Sequence, residues 1–135
     1  MAQELYFEIE YDYNTLETGI VLPAILRLGD ESSDVRVKLD TGSTFCVFER
    51  IHAERLGLEI ETGIPLRIST VTAGFLAYGH TVNLSVLGFE TESTVYFAAE
   101  ESFSVNVLGR NGFLDRVKLG LIDYEGKLLL SVYNQ

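Results

Sequence analysis

The stretch VRVKLDTGS, residues 35–43, decides the fold that this sequence predicts. Its first five residues alternate between apolar and charged side chains, a pattern typical of a β-strand with one buried face. Asp40 follows at once, and Gly42 then permits a sharp bend and lets a second backbone segment come close. The sequence therefore places one carboxylate at the end of a strand, at the start of a tight turn.

Two short hydroxyl side chains, Thr41 and Ser43, flank Gly42 in this turn. We expect them to hold the Asp40 carboxylate in one orientation, or to pair with a symmetry-related copy of the same loop. Peptide hydrolysis by carboxyl groups alone needs two of them that share one proton. The ionised group activates a water molecule, and the protonated group polarises the scissile carbonyl.

A second carboxylate of this kind is not encoded in the chain. None of the other aspartates begins another Asp-Thr-Gly or Asp-Ser-Gly; they are Asp12, Asp30, Asp34, Asp115 and Asp123. If Asp40 works by this two-carboxyl chemistry, its partner must therefore come from another copy of the chain, across a two-fold axis on which the two loops meet. The sequence predicts a homodimer.

Length and composition exclude several classes of protein. The 135 residues suit one domain, predicted to span residues 1–135. A net charge of −10, scattered along the chain, argues against nucleic acid as a partner and allows at most a mild preference for basic peptides. No run of 18 or more apolar residues is present, so we expect no membrane association.

The start of the sequence and its single cysteine bear on the compartment. The first residues lack the basic and apolar regions of a secretory signal, so we expect a cytoplasmic protein. Cys46 has no intrachain partner and is expected to be a small buried apolar residue. His52 and His80 do not form a metal-binding motif, and we expect neither a metal nor a cofactor.

Short strands dominate the predicted secondary structure. The predicted strands are residues 6–11, 19–28, 35–39, 65–72, 75–87, 89–97, 105–108, 117–122 and 127–132. The polar cluster 29–34 is predicted to be a turn, and Pro23 indicates a strand edge or a bulge. The sequence thus predicts an all-β, barrel-like domain.

One or two short helices interrupt these strands. Residues 49–58 favour a helix with Ile51, Ala53 and Leu56 facing inward and with Gly57 at its end. A second short helix is predicted within residues 110–116.

Three features in order carry a family resemblance: Asp40 with its turn, a hairpin with Ala73-Gly74 at its tip, and Val107-Leu108-Gly109-Arg110-Asn111. With them the chain resembles the retropepsin-like (retroviral-type) aspartic proteases from about Val21 to Val132. The resemblance implies a retropepsin-like acid protease barrel that acts as a homodimer, with a β-hairpin flap that closes over the substrate. Ser43, where viral enzymes commonly have alanine, resembles the cellular members, and the starting Met1 hints at a stand-alone protein.

The resemblance also implies a role for each site residue. Asp40 is the catalytic residue, and Thr41, Gly42 and Ser43 complete the active-site loop. The flap residues that would bind the substrate backbone are Thr70, Val71, Thr72, Ala73 and Gly74. Gly109, Arg110 and Asn111 are expected to support the loop, with the Arg110 guanidinium tying two segments together.

Two further expectations come from a closer comparison with the family. Retroviral members often carry an acid at the position of Thr44 that pairs with the arginine of the Gly-Arg motif, so Arg110 must find another partner. Ser43 is expected to add a hydrogen bond to the Asp40 carboxylate. The terminal strands, including the apolar segment 128–133, are expected to build the dimer sheet.

The sequence therefore favours an aspartic endopeptidase that acts on peptide or protein substrates and whose dyad is formed by Asp40 of two subunits. A catalytically silent retropepsin-fold module for peptide binding or assembly is the alternative, because a fold does not prove turnover. A monomer that forms the dyad only on transient self-association is a third possibility.

Overall fold

The computed structural model describes residues 2–133, so that residues 1, 134 and 135 of the predicted domain, Met1 among them, lie outside the described residues. The strands of this part are β1 (Ile9–Asp12), β2 (Val21–Leu28), β3 (Glu31–Leu39), β4 (Val47–Phe48), β5 (Ile64–Ser69), β6 (Gly74–Val86), β7 (Phe89–Ala98), β8 (Val107–Leu108), β9 (Val117–Ile122) and β10 (Lys127–Val132). One α-helix, α1 (Arg50–Arg55), and 3₁₀ turns at Ile60–Thr62, Leu114–Arg116 and Asp123–Glu125 complete the structure.

Seven of these strands form a sheet that closes on itself. Their order is β2-β3-β8-β4-β7-β6-β5, and β2 also pairs with β6 from Ala24 to Arg27. This extra pairing makes a barrel of the first six strands and leaves β5 outside it, attached to β6. Pro23 lies just before the β2–β6 pairing, at a position of β2 that pairs with β3 alone. The predicted all-β barrel is confirmed.

The barrel interior is filled by the apolar residues that alternate along the strands. Leu22, Val37, Leu84, Phe97 and Leu108 are all fully buried. Each such side chain stabilises the fold by about 1.5–3 kcal/mol through its removal from water. Because the barrel core lies directly under β3 and β8, it fixes the two strands that end beside Asp40.

A second, three-stranded sheet has the order β1-β10-β9. Its central strand β10 is hydrogen-bonded on both sides within the chain, with Leu130 opposite both Ile9 and Leu119. Both sides of β10 are therefore occupied within the chain from Leu128 to Leu130, and the participation of residues 128–133 in a dimer sheet stays a prediction. The two edge strands of this sheet are β1 and β9.

The predicted turn at residues 29–34 is wrong. β3 begins at Glu31, and Gly29 and Asp30 alone make the turn between β2 and β3. The polar residue Ser33 is buried within the strand because its hydroxyl is hydrogen-bonded to the His52 ring, with 2.8 Å between Oγ and Nδ1.

The helical predictions are partly confirmed. α1 ends as predicted near Gly57, whose φ of 74° lies in the left-handed region. Ile51 was expected to face inward but is 43% exposed, whereas His52 is only 5% exposed. The helix predicted at 110–116 is only a 3₁₀ turn, because Asn111 is extended and bridges to Phe45.

None of the helices within residues 2–133 has the length and apolar character needed to cross a membrane.

Candidate active site

Asp40 lies at the end of β3, where two neighbouring segments hold the backbone. Its N–H donates to the Leu108 carbonyl at 3.0 Å, and the Leu39 N–H donates to the Ile20 carbonyl at 2.9 Å. Leu39 also pairs with Leu108 in the parallel contact between β3 and β8. The Asp40 residue itself is exposed. A well-fixed backbone thus presents a carboxylate to solvent.

The backbone of the turn, not its hydroxyls, orients this carboxylate. The Gly42 N–H donates to Asp40 Oδ1 at 2.9 Å, and the Ser43 N–H donates to the Asp40 carbonyl at 3.1 Å. The Ser43 hydroxyl, expected to bond the carboxylate, instead donates to the Phe45 carbonyl at 2.7 Å. That expectation is wrong within one chain, because the chain path brings a nearer acceptor to Ser43. Thr41 is exposed.

The segment after β8 crosses directly under the loop. The Arg110 N–H donates to the Ser43 carbonyl at 2.8 Å, and the Asn111 N–H donates to the Thr44 carbonyl at 2.9 Å. Gly109 makes this crossing possible, since a Cβ there would lie 2.2 Å from the Phe45 carbonyl oxygen and 2.6 Å from that of Ser43. Backbone groups of residues 109–111 therefore brace the loop.

The Arg110 side chain does not take part in this brace. The residue is exposed, and its guanidinium forms no hydrogen bond or ion pair with any of residues 2–133. The expectation that the guanidinium ties two segments together is wrong for the described chain, because its main-chain N–H makes that link instead.

Cys46 packs beneath the loop as the predicted buried apolar residue. It is fully buried, and its Sγ accepts a hydrogen bond from the Gly109 N–H at 3.4 Å. Burial raises the pKa of the Cys46 thiol to about 11. The thiol is therefore neutral at physiological pH and fills space rather than acting as a nucleophile.

The hairpin of β5 and β6 has its tip at Thr70–Ala73. The Thr70 N–H donates to the Ala73 carbonyl at 2.6 Å, and the Ala73 N–H donates to Thr70 Oγ1 at 3.0 Å. The Thr70 hydroxyl also donates to the Ala73 carbonyl. Gly74 was predicted at the tip but pairs with Ser69 inside the ladder, because the threonine stabilises a turn that needs no glycine. Val71 is fully exposed.

This hairpin extends beyond the barrel. Pairing between β6 and β7 begins only at Ala77, so the residues before it have β5 alone as a neighbouring strand. Two contacts anchor the base: the Ala99 N–H donates to the Leu76 carbonyl at 2.9 Å, and the rings of Phe75 and Phe103 stack with centroids 4.2 Å apart. The tip beyond these contacts has the form of a flap.

A buried polar network, which the sequence did not reveal, ties α1 to the strands beside Asp40. His52 bonds Ser33 of β3, and its Nε2 lies 4.0 Å from Glu49 Oε1. Asn106 Nδ2 donates to Glu49 Oε1 at 2.6 Å, and the Asn106 carbonyl accepts from the Lys38 N–H at 2.9 Å. Burial lowers the pKa of His52. The sequence around His52 gave no local signal of these distant partners.

Within residues 2–133, no three His, Cys, Asp or Glu side chains form a group that could hold a metal ion.

Comparison with solved structures identifies the architecture. A retropepsin-like aspartic protease from Rickettsia conorii matches with a TM-score of 0.61 and 17% identity, over 96% of this chain and 96% of that chain. EIAV protease in complex with the inhibitor HBY-793 matches with a TM-score of 0.55 and 21% identity, over 72% of this chain and 86% of that chain. The chain has the retropepsin-like aspartic protease fold, which confirms the fold predicted from the resemblance.

Searches by sequence add nothing to this structural likeness: no protein-family model matches the chain, and no curated protein matches it.

Proposed function

We propose that this chain is an aspartic endopeptidase in which Asp40 from each of two subunits forms the catalytic dyad. The observation that carries the proposal is the exposed Asp40 carboxylate in a protein of retropepsin-like fold. The Gly42 N–H orients this carboxylate, and the Leu108 carbonyl holds the Asp40 backbone N–H. A carboxylate held in this way is ready to meet a second one, because its outer side is free of the rest of the chain.

The proposed reaction needs only these two groups and one water. The ionised carboxyl removes a proton from the water, which attacks the peptide carbonyl while the protonated carboxyl donates to its oxygen. When the tetrahedral intermediate collapses and its C–N bond breaks, the carboxyl that took the proton from water gives it to the leaving amine. A hydroxyl of the intermediate returns a proton to the other carboxylate, which restores the dyad. No covalent enzyme intermediate, metal or cofactor takes part in this scheme.

The flap supports the peptide-binding part of the proposal. Residues 70–73 extend past the barrel, and the hydrogen bonds between Thr70 and Ala73 already occupy some of their backbone groups. The remaining backbone groups of the tip, together with those of Gly74, are free to bond the backbone of an extended peptide. The hairpin would exclude water when it closes over that peptide. Thr41, exposed and beside Asp40, is placed to contact the loop of the partner subunit.

The proposed setting is the cytoplasm, in accord with the free thiol of the buried Cys46. Gly109, Arg110 and Asn111 have the proposed role of support. The backbone N–H groups of Arg110 and Asn111 bond residues 43 and 44, and Gly109 permits the close approach of the two segments.

Asp40→Asn tests the mechanism directly. We expect the wild-type chain to cleave members of a peptide library at acidic or neutral pH, and the variant to lose this activity by a factor on the order of 10³ or more. Asp30→Asn, at the exposed turn between β2 and β3, is the matched control and should keep the activity. Sedimentation over a concentration range should show the same dimer for all three proteins.

Each failure of this experiment has a distinct meaning. Cleavage that survives in Asp40→Asn rejects the dyad. Peptide binding without cleavage under all conditions would favour the silent binding module. Activity that rises faster than linearly with concentration, together with a sedimenting monomer, would show that the dimer is transient.

A further inference from the structure

A cavity of about 230 Å³ lies beside the part of β3 that leads into Asp40. Its lining residues come from β3, from β2 with the segment before it, and from the segment before β8; they are Glu17, Val21, Arg36, Lys38, Ser104, Val105 and Asn106. Lys38 lies two residues before Asp40 on the exposed face of β3, and both residues are exposed.

Lys38 is held firmly at its backbone and left free at its charged end. It pairs with Val21 of β2 and with Val107 of β8, and its aliphatic stem crosses Gly19, where a Cβ would lie 3.4 Å from Lys38 Cδ. The Lys38 ammonium forms no ion pair or hydrogen bond with any other residue in the range 2–133. A free cation in a fixed strand is suited to receive an anion.

The lining of this cavity is positive although the protein is strongly negative. Arg36 is neutralised by Glu17, with 2.9 Å between Nη2 and Oε1, so that the charge of Lys38 remains. The Ser104 hydroxyl adds a hydrogen-bond donor, and Val21 and Val105 add apolar surface. The cavity is smaller than the roughly 300 Å³ of pockets that take whole small molecules, and it suits a single side chain.

We propose that this cavity binds an aspartate or glutamate side chain of the substrate, close to the scissile bond, and that Lys38 selects for it. The inference rests on the proposed function. It also opposes the expectation from net charge, because the −10 of the whole chain favours basic peptides while the group beside Asp40 favours acidic ones. We expect the nearby charge of Lys38 to determine the substrate preference, since screening at physiological salt weakens interactions with charges beyond about 8 Å.

Paired substrates test the selection. A peptide that the wild-type protein cleaves is remade with glutamate or glutamine at each position flanking the cleaved bond. We expect glutamate to raise kcat/KM by about three- to tenfold at one position or more. Lys38→Gln should abolish this ratio, and Lys38→Glu should invert it. Arg55→Gln removes the same charge at the far end of α1 and should keep the wild-type ratio.

A binding measurement separates this inference from the proposed function. Acetylated, amidated hexapeptides of alanine and valine, each with one glutamate or glutamine, are titrated into the full-length Asp40→Asn chain and followed by NMR. Tighter binding of the glutamate peptides, with shifts at Ser104 and Val105 that Lys38→Gln removes, would support the site even if no peptide is cleaved. Equal binding of the two sets, or no binding, overturns it, and so does cleavage with no glutamate preference.

Discussion

The Asp40 loop, proposed to be catalytic, at residues 40–43 and the tip of the proposed flap at residues 70–73 are both four-residue turns, yet they are held in opposite ways. The loop is bonded to distant segments, through Leu108 to Asp40 and through Arg110 to Ser43. The tip is bonded only to itself, between Thr70 and Ala73. The group proposed to do chemistry is thus fixed by the barrel, while the element proposed to cover it is left free to move.

This contrast also separates two uses of glycine. Gly109 lies where two backbone segments touch, so no side chain fits there. Gly74 lies in an open strand, and a Cβ at this position would come no closer than 3.4 Å to the Ile68 carbonyl oxygen. One glycine is required by packing and the other is not.

The largest effect is expected from Gly109→Ala. The new methyl group would collide with the Phe45 and Ser43 carbonyl oxygens, and backbone atoms cannot turn aside as a flexible side chain does. We expect the free energy of unfolding to fall by about 3 kcal/mol or more, measured by chemical denaturation. Gly74→Ala in the flap is the matched control and should change it by less than about 0.5 kcal/mol. Equal losses in the two variants would show that the crossing at Gly109 is not tight.

The second effect is a pH dependence of stability that originates at His52 of α1. Burial lowers the pKa of His52 in the folded protein below its ordinary value of 6.5, so the unfolded chain binds more protons between these two values. His52 therefore costs no stability above pH 6.5, and stability is lost as the pH falls below it.

Denaturation of the wild-type protein and of His52→Gln between pH 7.5 and pH 5 measures this contribution. We expect the wild type to lose stability over this interval with a steeper slope than the variant. Parallel slopes would contradict the assignment of the titration to His52. The result also bears on any assay at acidic pH, since His52 links α1 to Ser33 of the strand that carries Asp40.

The sequence predicts features that neighbouring residues determine better than contacts between residues that are far apart in the chain. The strand before Asp40, its turn and the β9–β10 hairpin are encoded by neighbouring residues, and the structure places them as expected. The acceptor of the Ser43 hydroxyl was predicted wrongly, because the position of the actual acceptor, the Phe45 carbonyl, depends on the path of the chain. The Ser33–His52 contact joins residues that only the closed barrel brings together.

The flap and the terminal sheet show two other limits. Gly74 was placed at the tip because glycine often marks a turn, but the hydrogen bonds of Thr70 decide where the turn lies. The apolar residues of β10 were expected to help build a dimer sheet, but an apolar strand is equally suited to the centre of a sheet within one chain, which is where β10 lies. Composition alone does not separate these positions.

A smaller effect is expected at the base of the flap. Phe103→Leu removes the ring stacked on Phe75, a contact worth about 0.5–1.5 kcal/mol. We expect amide hydrogen exchange at Ala99, whose N–H bonds Leu76, to speed up by about two- to tenfold. Phe45→Leu removes the comparable ring pair with Tyr96 beside the catalytic loop and should leave exchange at Ala99 unchanged. Faster exchange in both variants would mean that the two regions are not separate.

The smallest effect is expected at the tip itself. Thr70→Val keeps the shape of the side chain but removes the oxygen that accepts from the Ala73 N–H. Because this turn is exposed and bonded only to itself, the free energy of global unfolding should change by less than about 0.5 kcal/mol. Exchange at the Ala73 amide should nevertheless rise several-fold. Thr72→Val, at a neighbouring exposed position, is the matched control, and exchange at Ala73 should not respond to it. If Thr70→Val instead lowered global stability as strongly as a change in the braced loop, the tip would have to be coupled to the barrel, and the contrast between a fixed catalytic group and a free cover would fail.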